Sequence, residues 1–410
     1  MERILKFAER IGDRILRIVK NAKFRRYFPL GLVLAIALVT LVTCMPWTQN
    51  GSDPDPDPDP PEAAETPPIL ITQPTLDPDP DPPEETQPPE EPEPPEEPDL
   101  RPRNPLTGLP TETDITQNRP LAIMINNHNA SLPQVGISQA DIIYEIMVEG
   151  VTRMLAVFQD VSNAGVIGSV RSARPYYIDI AQGYDAIFVF AGASEQAYSI
   201  LSSRNITRLD GVHGRQSQLI FYRDPNRASM AFEHRLVTSG ERLTENLPDF
   251  GFRLEHEQGF EYALSFAEDG TPDGGEPAQE ITVNFSSGKS TTFTYDPNDG
   301  LYYLRQTIGR NSGPYKDGSD DSQLAVTNVL ILQTSISLIP GDRYNRLRVT
   351  TTGTGSGYFV CGGQYIDINW SKENEASQFI YTLNDGSELV LGQGKTYICI
   401  VSRTSNLSFS

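Results

Sequence analysis

Cysteine and histidine are scarce in this sequence, which has three cysteines and four histidines among its 410 residues. None of them falls at the spacing of a zinc site. The motifs HExxH and G-x-S-x-G and the Walker phosphate loop are also missing. The sequence therefore predicts no metal site and no cofactor, and it carries no recognised catalytic signature.

Basic residues are missing from a long stretch near the N-terminus. Residues 51–100 contain 17 Asp and Glu and 18 Pro, with no Lys or Arg. Because each proline fixes φ and lacks an N–H, this stretch can form neither helix nor sheet. Repulsion between its carboxylates extends it further. We expect residues 48–103 to be a disordered acidic linker, a polyproline-II-rich stalk that reaches on the order of 100–150 Å.

The overall charge is acidic, with a net value of −21. The part of the chain that follows the stalk is acidic as well, so it has no uniform basic field of the kind that attracts nucleic acid. We therefore expect no nucleic-acid partner. Local basic sites are still compatible with this charge.

An uncharged hydrophobic run of about twenty residues, 27–47, precedes the stalk, and it has roughly the length of a helix that crosses a bilayer. Arg25 and Arg26 stand at its start and the acidic tract follows its end. The positive-inside rule then places the basic leader, 1–26, in the cytoplasm and the chain from residue 50 onward outside. The sequence predicts a cell-membrane protein with a single N-terminal anchor and an extracytoplasmic bulk.

Two kinds of anchor fit this run. Residues 41–44 resemble the lipobox of bacterial lipoproteins, which makes Cys44 a candidate for lipidation behind a signal peptide. A residue smaller than Thr43 usually precedes that cysteine, however, and the charged leader is long for a removable signal. The sequence therefore favours an uncleaved transmembrane helix slightly over a lipid.

The first folded region, 104–267, alternates between strand and helix patterns. Apolar runs predict strands, and longer periodic runs predict helices, one of them with Ser194 as its N-cap. The expected strands lie at 120–126, 140–150, 152–160 and 185–192, and the expected helices at 175–183 and 194–204. The alternation predicts a mixed α/β domain of three layers.

The second folded region, 278–402, follows a break rich in Gly, Pro and Asp. Its segments alternate apolar and polar residues between turn signals, which is typical of antiparallel hairpins. We expect a mainly-β domain, either a sandwich or a barrel. The predicted class is thus α+β: a mixed α/β domain and then a mainly-β domain, preceded by a transmembrane or lipoprotein anchor and the linker.

Two cysteines, Cys361 and Cys399, lie in predicted strands of this second region. An oxidising exterior permits a disulfide between them, provided that their Cα atoms lie within about 7 Å. The sequence leaves open whether they pair.

Three charged residues of the first region, Glu145, Glu149 and Arg153, follow one another at intervals of four. In a strand or a helix this spacing puts all three on one face. They are candidates for a ligand-binding or catalytic surface, and an ordinary ion-pair network is the alternative.

A second candidate lies at the start of the helix expected over 175–183. Arg171, Ser172 and Arg174 would combine guanidinium groups with free backbone N–H groups, which suits a phosphate, pyrophosphate or carboxylate. Bracing of a loop is the alternative. Other polar residues that folding could bring near this turn are Asn126, Asn127, His128, Asp185, Asp210, Arg223 and His234.

These residues also carry a resemblance to a known family. The runs NPLTGLP, RPLAIMINNH, ADIIYEIMVEGVTRMLAVFQ and GSVRSARPYYIDIAQGYDAIFVFAG, followed by LDG, FYRD and TSGERL, are similar to the YerB-type family of Gram-positive bacteria. That family is named as lipoproteins, has two domains and has no assigned function. The resemblance spans about 104–402 and implies an anchored envelope protein.

The family pattern can be placed residue by residue where this sequence matches it. The matching positions are Asn126, Asn127, Tyr144, Glu145, Glu149, Thr152, Arg153, Arg171, Ser172, Arg174, Asp185, Gly192, Ser194, Asp210 and Arg223. The sequence departs from the pattern at Ser169, where the family usually has Pro. It departs again at Arg235, which follows the retained His234 where the family usually has Asn.

Two functions fit these observations. The favoured one is a non-enzymatic envelope protein that binds an anionic cell-wall component or a protein partner. The alternative is a cell-wall-active enzyme, either a glycan hydrolase that uses Glu145 and Glu149 or a phosphotransferase that holds a lipid-linked pyrophosphate with its arginines. The hydrolase requires the two carboxyl groups about 5–10 Å apart in an open cleft.

Overall fold

The computed structural model describes residues 99–214 and 217–410. The leader 1–26, the anchor 27–47 and nearly all of the linker 48–103 lie outside these residues. No helix of the described part is long and apolar enough to span a bilayer.

The first segment, up to residue 267, contains nine strands and four α-helices among its described residues. The strands are β1 (Leu121–Asn126), β2 (Ile142–Met147), β3 (Thr152–Phe158), β4 (Val166–Gly168), β5 (Ile187–Phe190), β6 (Arg208–Asp210), β7 (Tyr222–Arg223), β8 (Leu236–Ser239) and β9 (Ser265–Ala267). The helices are α1 (Pro175–Gly183), α2 (Glu195–Ser203), α3 (Ser217–Ile220) and α4 (Gly240–Asn246). The expected strands and helices of this segment are confirmed within a few residues at each end.

The second segment, 268–410, consists of strands and turns. The strands are β10 (Glu276–Pro277), β11 (Glu280–Ser286), β12 (Lys289–Asp296), β13 (Leu301–Ile308), β14 (Asn311–Pro314), β15 (Ala325–Val326), β16 (Asn328–Thr334), β17 (Ile336–Leu338), β18 (Leu347–Val349), β19 (Gly353–Cys361), β20 (Gln364–Lys372), β21 (Ile380–Thr382), β22 (Val390–Gly392), β23 (Thr396–Ser402) and β24 (Leu407–Phe409).

One large sheet runs through both segments. Its order is β10-β20-β19-β16-β23-β2-β3-β1-β5-β6, and β21 pairs with β20 at one end. The two segments meet where β2 pairs with β23 in parallel, with Ile143 opposite Tyr397. At the other end of the sheet, β1, β5 and β6 are parallel neighbours. We call this eleven-stranded sheet the central sheet.

A six-stranded antiparallel sheet, β14-β13-β12-β11-β24 with β15 beside β13, packs on one face of the central sheet. Side chains alternate along a strand, so Ile123 and Ile125 of β1 face this second sheet. Ala122 and Met124 face the opposite core, which α1 and α2 cover. Since both faces of β1 are buried, its sequence is an unbroken apolar run. The result is three layers: helices, central sheet and six-stranded sheet.

Most strands of the second segment are divided between these two sheets, whereas β17 pairs with β18 and β22 pairs with β9 in separate two-stranded sheets. The sequence predicted a sandwich or barrel formed by that segment alone, whereas β16, β19, β20 and β23 extend the central sheet of the first segment. The alternating pattern identified the strands correctly. It could not show the parallel pairing of β23 with β2, because that contact joins residues more than 250 positions apart.

The disulfide between Cys361 and Cys399 does not form, and both thiols are free and buried. Cys361 ends β19 and Cys399 lies in β23, and β16 separates these two strands. Strands two apart in a sheet are roughly 9–10 Å from each other, which is too far for a disulfide. The two side chains also belong to opposite cores.

Candidate functional site

The carboxyl ends of β1, β5 and β6 lie side by side, which is where ligands bind in open α/β sheets. The turn that precedes α1 enters this edge between β1 and β5. The Arg171 backbone N–H donates to the Met124 carbonyl at 2.9 Å, and the Arg171 carbonyl accepts from the Ala191 N–H at 3.0 Å. The backbone therefore positions Arg171 at the junction of the two strand ends.

The Arg171 side chain is half-buried, and within the described residues its guanidinium has neither a hydrogen bond nor an ion pair. Burial lowers the pKa of Arg171, the nearby charge of Arg174 lowers it further, and Glu233 opposes both effects. A guanidinium offers up to five N–H donors in a planar fork. Arg171 therefore presents unused donors at the strand ends.

Arg174 and Glu149 form a bidentate ion pair next to this position. Arg174 Nε donates to Glu149 Oε1 at 2.6 Å, and Arg174 Nη2 donates to Oε2 at 2.7 Å. Arg153 lies 3.6 Å from the same carboxylate and donates to the Ser172 carbonyl at 2.7 Å. Burial raises the pKa of Glu149, but the two arginines outweigh it and hold that pKa below its usual value. Burial lowers the pKa of Arg153 to about 10.

Two histidine rings stack behind the arginines. The rings of His128 and His234 are 5.5 Å apart and inclined by 13°. The Asn126 amide donates to His234 Nδ1 at 3.0 Å, and Asn126 Oδ1 accepts from the His128 backbone N–H at 3.1 Å. Burial lowers the pKa of His234, and the positive charge of Arg171 lowers it further. Because Nδ1 accepts from the Asn126 amide, the neutral His234 ring carries its proton on Nε2.

Arg223 and Arg235 complete the basic side of this edge. Arg223 donates to the Phe232 carbonyl at 2.9 Å, and its guanidinium lies 3.9 Å above the Phe232 ring, a side chain that is 65% exposed. Burial lowers the pKa of Arg223, and the charges of Arg235 and Arg171 lower it further. Arg235 Nε is buried without a hydrogen-bond partner in the described part of the chain.

We call Arg171, Arg174, Arg223 and Arg235 the arginine edge. With Arg153 beneath it, this surface gathers five guanidinium groups around two carboxylates, those of Glu149 and Glu233. The excess of positive charge suits a bound anion, and so do the Arg171 guanidinium and Arg235 Nε, which have no partner within residues 99–214 and 217–410.

Glu145 does not belong to this surface, although the sequence predicted that it shares a face with Glu149 and Arg153. That prediction is wrong because β2 ends at Met147 and the chain reverses at Gly150, whose φ is +76°. Glu145 then faces the six-stranded sheet, whereas Arg153 lies opposite Ile146 and faces the helices. Glu145 is fully buried, so the two glutamates do not form the open acid pair that a glycan hydrolase requires.

The buried Glu145 carboxylate lies in a polar cluster between the two sheets. Lys289 Nζ lies 2.8 Å from Oε1. The other contacts are Asn127 Nδ2 to Oε1 at 2.9 Å, Thr152 Oγ1 to Oε1 at 2.6 Å, Thr291 Oγ1 to Oε2 at 2.7 Å and Tyr397 OH to Oε2 at 2.8 Å. Burial raises the pKa of Glu145, but Lys289 and these donors bring it below its usual value. Asn127, a predicted ligand-binding residue, therefore belongs to the interior.

Asp185 lies at the opposite edge of the central sheet from the arginine edge. It precedes β5, at the amino end of the strand, whereas the site forms at the carboxyl ends. Its carboxylate contacts Arg253 at 2.7 Å, His256 at 3.0 Å and Arg119 at 3.3 Å. Desolvation alone would raise the pKa of Asp185, but these partners bring it to about 2. Asp185 is therefore not part of the candidate site.

A groove of about 790 Å³ runs beside the end of β6. Asp210 organises its near side: it accepts from the Gly192 N–H at 2.9 Å, from Tyr198 OH at 2.8 Å and from the Val212 N–H at 2.9 Å, and it lies 3.0 Å from His213 Nδ1. The sequence named Asp210 among the scattered polar residues and missed Tyr198 and His213. It also named Arg235 only as a departure from the family pattern, although this arginine directly follows His234.

Comparisons with known proteins agree on one family. Residues 106–253 match the N-terminal domain, and residues 281–398 the C-terminal domain, of the family described as "Protein of unknown function (DUF3048)". The chain is 31% identical over 313 residues to "Putative lipoprotein YerB" of Bacillus subtilis (strain 168). The aligned region covers 75% of this chain and 88% of that protein. The crystal structure of the YerB protein from Bacillus subtilis matches with a TM-score of 0.62 at 27% identity, over 75% of this chain and 99% of that one. The resemblance that the sequence indicated is confirmed.

Proposed function

This chain belongs to the DUF3048 family, and from that premise we propose that it is an envelope protein, held at the cell membrane by its N-terminus, that binds an anionic ligand at the arginine edge without catalysis. The ligand would be a phosphate- or carboxylate-bearing component of the cell wall or an acidic segment of an envelope protein. The relative's name, lipoprotein, supports the location.

The observation that carries the proposal is the Arg171 guanidinium. Withdrawing a charged group from water is costly unless it gains partners. Arg171 is half-buried beside other arginines, and its guanidinium has no hydrogen bond or ion pair among residues 99–214 and 217–410. Arg235 Nε shares this lack of a partner within the same ranges. An anion bound at the arginine edge would supply the partner that the Arg171 guanidinium lacks.

The test is an isothermal titration calorimetry experiment on the full-length protein in detergent, with inorganic phosphate, inorganic pyrophosphate and citrate as titrants. We expect at least one of these anions to bind and Arg171→Ala to weaken it by at least about tenfold, because a charged hydrogen bond is worth roughly 1.5–3 kcal/mol. Arg310→Ala is the matched control, since Arg310 is an exposed arginine in the turn that follows β13.

Equal binding by wild type and Arg171→Ala, or no binding of any of the three anions, would overturn the anion site. Release of phosphate from pyrophosphate would instead favour the phosphotransferase. Replacement of Arg171 avoids a side effect, because Arg174→Ala would leave Glu149 without its bidentate partner.

The same proposal includes the anchor. We propose that Cys44 carries a lipid, as the relative's name suggests for that protein, and that the 27–47 run is the apolar part of the signal. Intact mass spectrometry of the protein extracted from membranes should give the mass of a chain that begins at a diacylated Cys44. A full-length mass that includes residue 1, and that changes in Cys44→Ser only by the replacement of sulfur with oxygen, would support the transmembrane helix instead.

A further inference from the structure

The polar cluster around Glu145 holds a lysine and an asparagine against one carboxylate oxygen inside the protein. Glu145 is fully buried, Asn127 is 1% exposed and Lys289 is 4% exposed. We propose that Lys289 and Asn127 become joined by an amide bond between their side chains, with Glu145 as the group that moves the protons. This modification is independent of the arginine edge.

Geometry brings the three groups together. Lys289 Nζ and Asn127 Nδ2 both contact Glu145 Oε1, at 2.8 and 2.9 Å. Oε2 is held by Thr291 and Tyr397, so the carboxylate cannot turn away. Lys289 Nζ also donates to Thr291 Oγ1 at 2.8 Å and to the Ser290 carbonyl at 3.3 Å. To reach the Asn127 carbonyl carbon, the flexible four-carbon stem of Lys289 would rotate and carry Nζ away from these two contacts. A preset arrangement of this kind removes much of the entropic barrier to a reaction between two side chains.

Burial reduces the cost of forming the neutral amine that the reaction requires. Burial lowers the pKa of Lys289. The desolvation penalty offsets much of the Coulombic attraction in a buried ion pair. Transfer of a proton from Nζ to Oε1 along their contact therefore costs less than it would in water. The product of that transfer is a nucleophilic amine beside a carboxylic acid.

Asn127 supplies the electrophile. Its Oδ1 is buried and has no hydrogen-bond partner in the described part of the chain, while its Nδ2 is held by Glu145 and Thr152. Aromatic rings border the cluster: Phe285 lies 5.5 Å from Lys289 Nζ, and Phe293 packs on Tyr397. The burial of Glu145 and Asn127 keeps away water, which would otherwise compete for the carboxamide.

The reaction is balanced without an oxidant or a cofactor. Lys289 Nζ attacks Cγ of Asn127, a Nζ–Cγ bond forms and the carbonyl electrons move to Oδ1. Glu145 passes the proton it took from Nζ to Nδ2, the Cγ–Nδ2 bond breaks, and ammonia leaves as the carbonyl re-forms. A second Nζ proton then passes to the Glu145 carboxylate, which ends as a carboxylic acid, and the third remains on the new amide nitrogen. The net change is the loss of one ammonia.

The bond would tie the two family segments together. Asn127 directly follows β1 in the first segment, and Lys289 begins β12 in the second. These strands belong to the two facing sheets, so the amide would cross-link the layers through the core.

Mass spectrometry of the purified full-length protein tests the proposal. We expect an ectodomain mass lower than the sequence value by one ammonia. Trypsin should not cut after Lys289, and the peptide that carries Lys289 should remain joined to the peptide that carries Asn127. Complete cleavage after Lys289 and an unreduced mass overturn the proposal, and so does a bond to Glu145, which would release water.

The variants Lys289→Arg and Glu145→Gln should recover the full mass, since the first lacks the nucleophile and the second the proton carrier. Lys316→Arg is the matched control, because Lys316 is an exposed lysine paired with Asp321, and it should keep the cross-link. The wild-type mass decides the question even if the core variants fail to fold.

Discussion

At the scale of single residues, neighbouring arginines of this protein differ in the hydrogen-bond and ion-pair partners of their guanidinium groups. Arg174 has a carboxylate placed for both arms of its guanidinium, and Arg153 has the same carboxylate and a backbone carbonyl. Arg171 lies between two strand ends, and its backbone N–H and carbonyl form hydrogen bonds with the backbone of these strands. Its guanidinium has no hydrogen bond or ion pair within the described ranges. An internal ion-pair network explains the first two arginines, and the third is the one for which we propose an external anion.

The titration of His234 reports on the charge at the arginine edge. Burial lowers the pKa of His234, and Arg171 lowers it further by charge repulsion. Removal of that charge in Arg171→Ala should therefore raise the pKa, and so should binding of an anion to the wild type. The measurement is the pH dependence of the His234 ring signals by NMR, with His213 as an internal reference. A pKa unchanged in Arg171→Ala would show that the two side chains are not electrostatically coupled.

Asp185 links stability to pH at the other edge of the central sheet. The pKa of Asp185 is depressed to about 2 by His256, Arg253 and Arg119, in spite of desolvation. A depressed pKa means stability that is present above the unfolded-state value, near 4, and is lost as the pH falls toward 2. Allowing for its partial exposure, we expect Asp185→Asn to cost roughly 1–2 kcal/mol at pH 7 and much less near pH 2.

Urea denaturation of wild type and Asp185→Asn at several pH values measures this effect. The exposed Asp249 provides the control substitution, Asp249→Asn, which should unfold like the wild type. A constant difference between Asp185→Asn and wild type across the acidic range would contradict the ion-pair explanation.

At the scale of elements, local sequence patterns were reliable for the parts of the chain that local interactions determine. α1 spans Pro175–Gly183, the range that the pattern predicted, and Ser194 caps α2 as expected. The prediction that Glu145 and Arg153 share one face was wrong, because the position of the turn between β2 and β3 decides which of their side chains lie on the same face of the sheet. The burial of Asp185 among Arg119, Arg253 and His256 also depends on contacts that no local pattern encodes.

The N-cap of α2 allows a direct test at this scale. Ser194 Oγ accepts from the Ala197 N–H at 3.2 Å, which satisfies one of the free N–H groups of the first turn. We expect Ser194→Ala to lower the free energy of unfolding by about 1 kcal/mol. Ser202→Ala, at an exposed position of the same helix, should be neutral or slightly stabilising, because alanine has the higher helix propensity. Equal effects of both substitutions in urea denaturation would show that the cap contributes nothing.

At the scale of the whole molecule, the two family segments are parts of one folded unit. The pairing of β2 with β23 makes the central sheet continuous, and Glu145 in the first segment meets Lys289, Thr291 and Tyr397 of the second. Two compositional regions can be recognised from the sequence, but a sheet shared between them cannot, because each region shows complete strand patterns of its own.

Separation of the segments should therefore unfold both of them. Residues 99–267 alone would expose the edge of β2 and leave Glu145 buried without its cation, and removal of one partner of a buried ion pair costs several kcal/mol. Residues 268–410 alone would leave β23 unpaired on that side and Lys289 without its carboxylate. We expect neither fragment, expressed by itself, to show a cooperative thermal transition by circular dichroism.

A cut between the segments in the folded protein should behave differently from this separation. A protease site inserted after Asp273, where the following Gly274 has open space around it, would break the connection without removing a pairing contact. We expect the two pieces to unfold in one transition, as a control protein cut in the turn at residues 342–345 should do. Two separate transitions after the cut would contradict a single folded unit built on the shared sheet, whether or not an amide between Asn127 and Lys289 keeps the pieces joined.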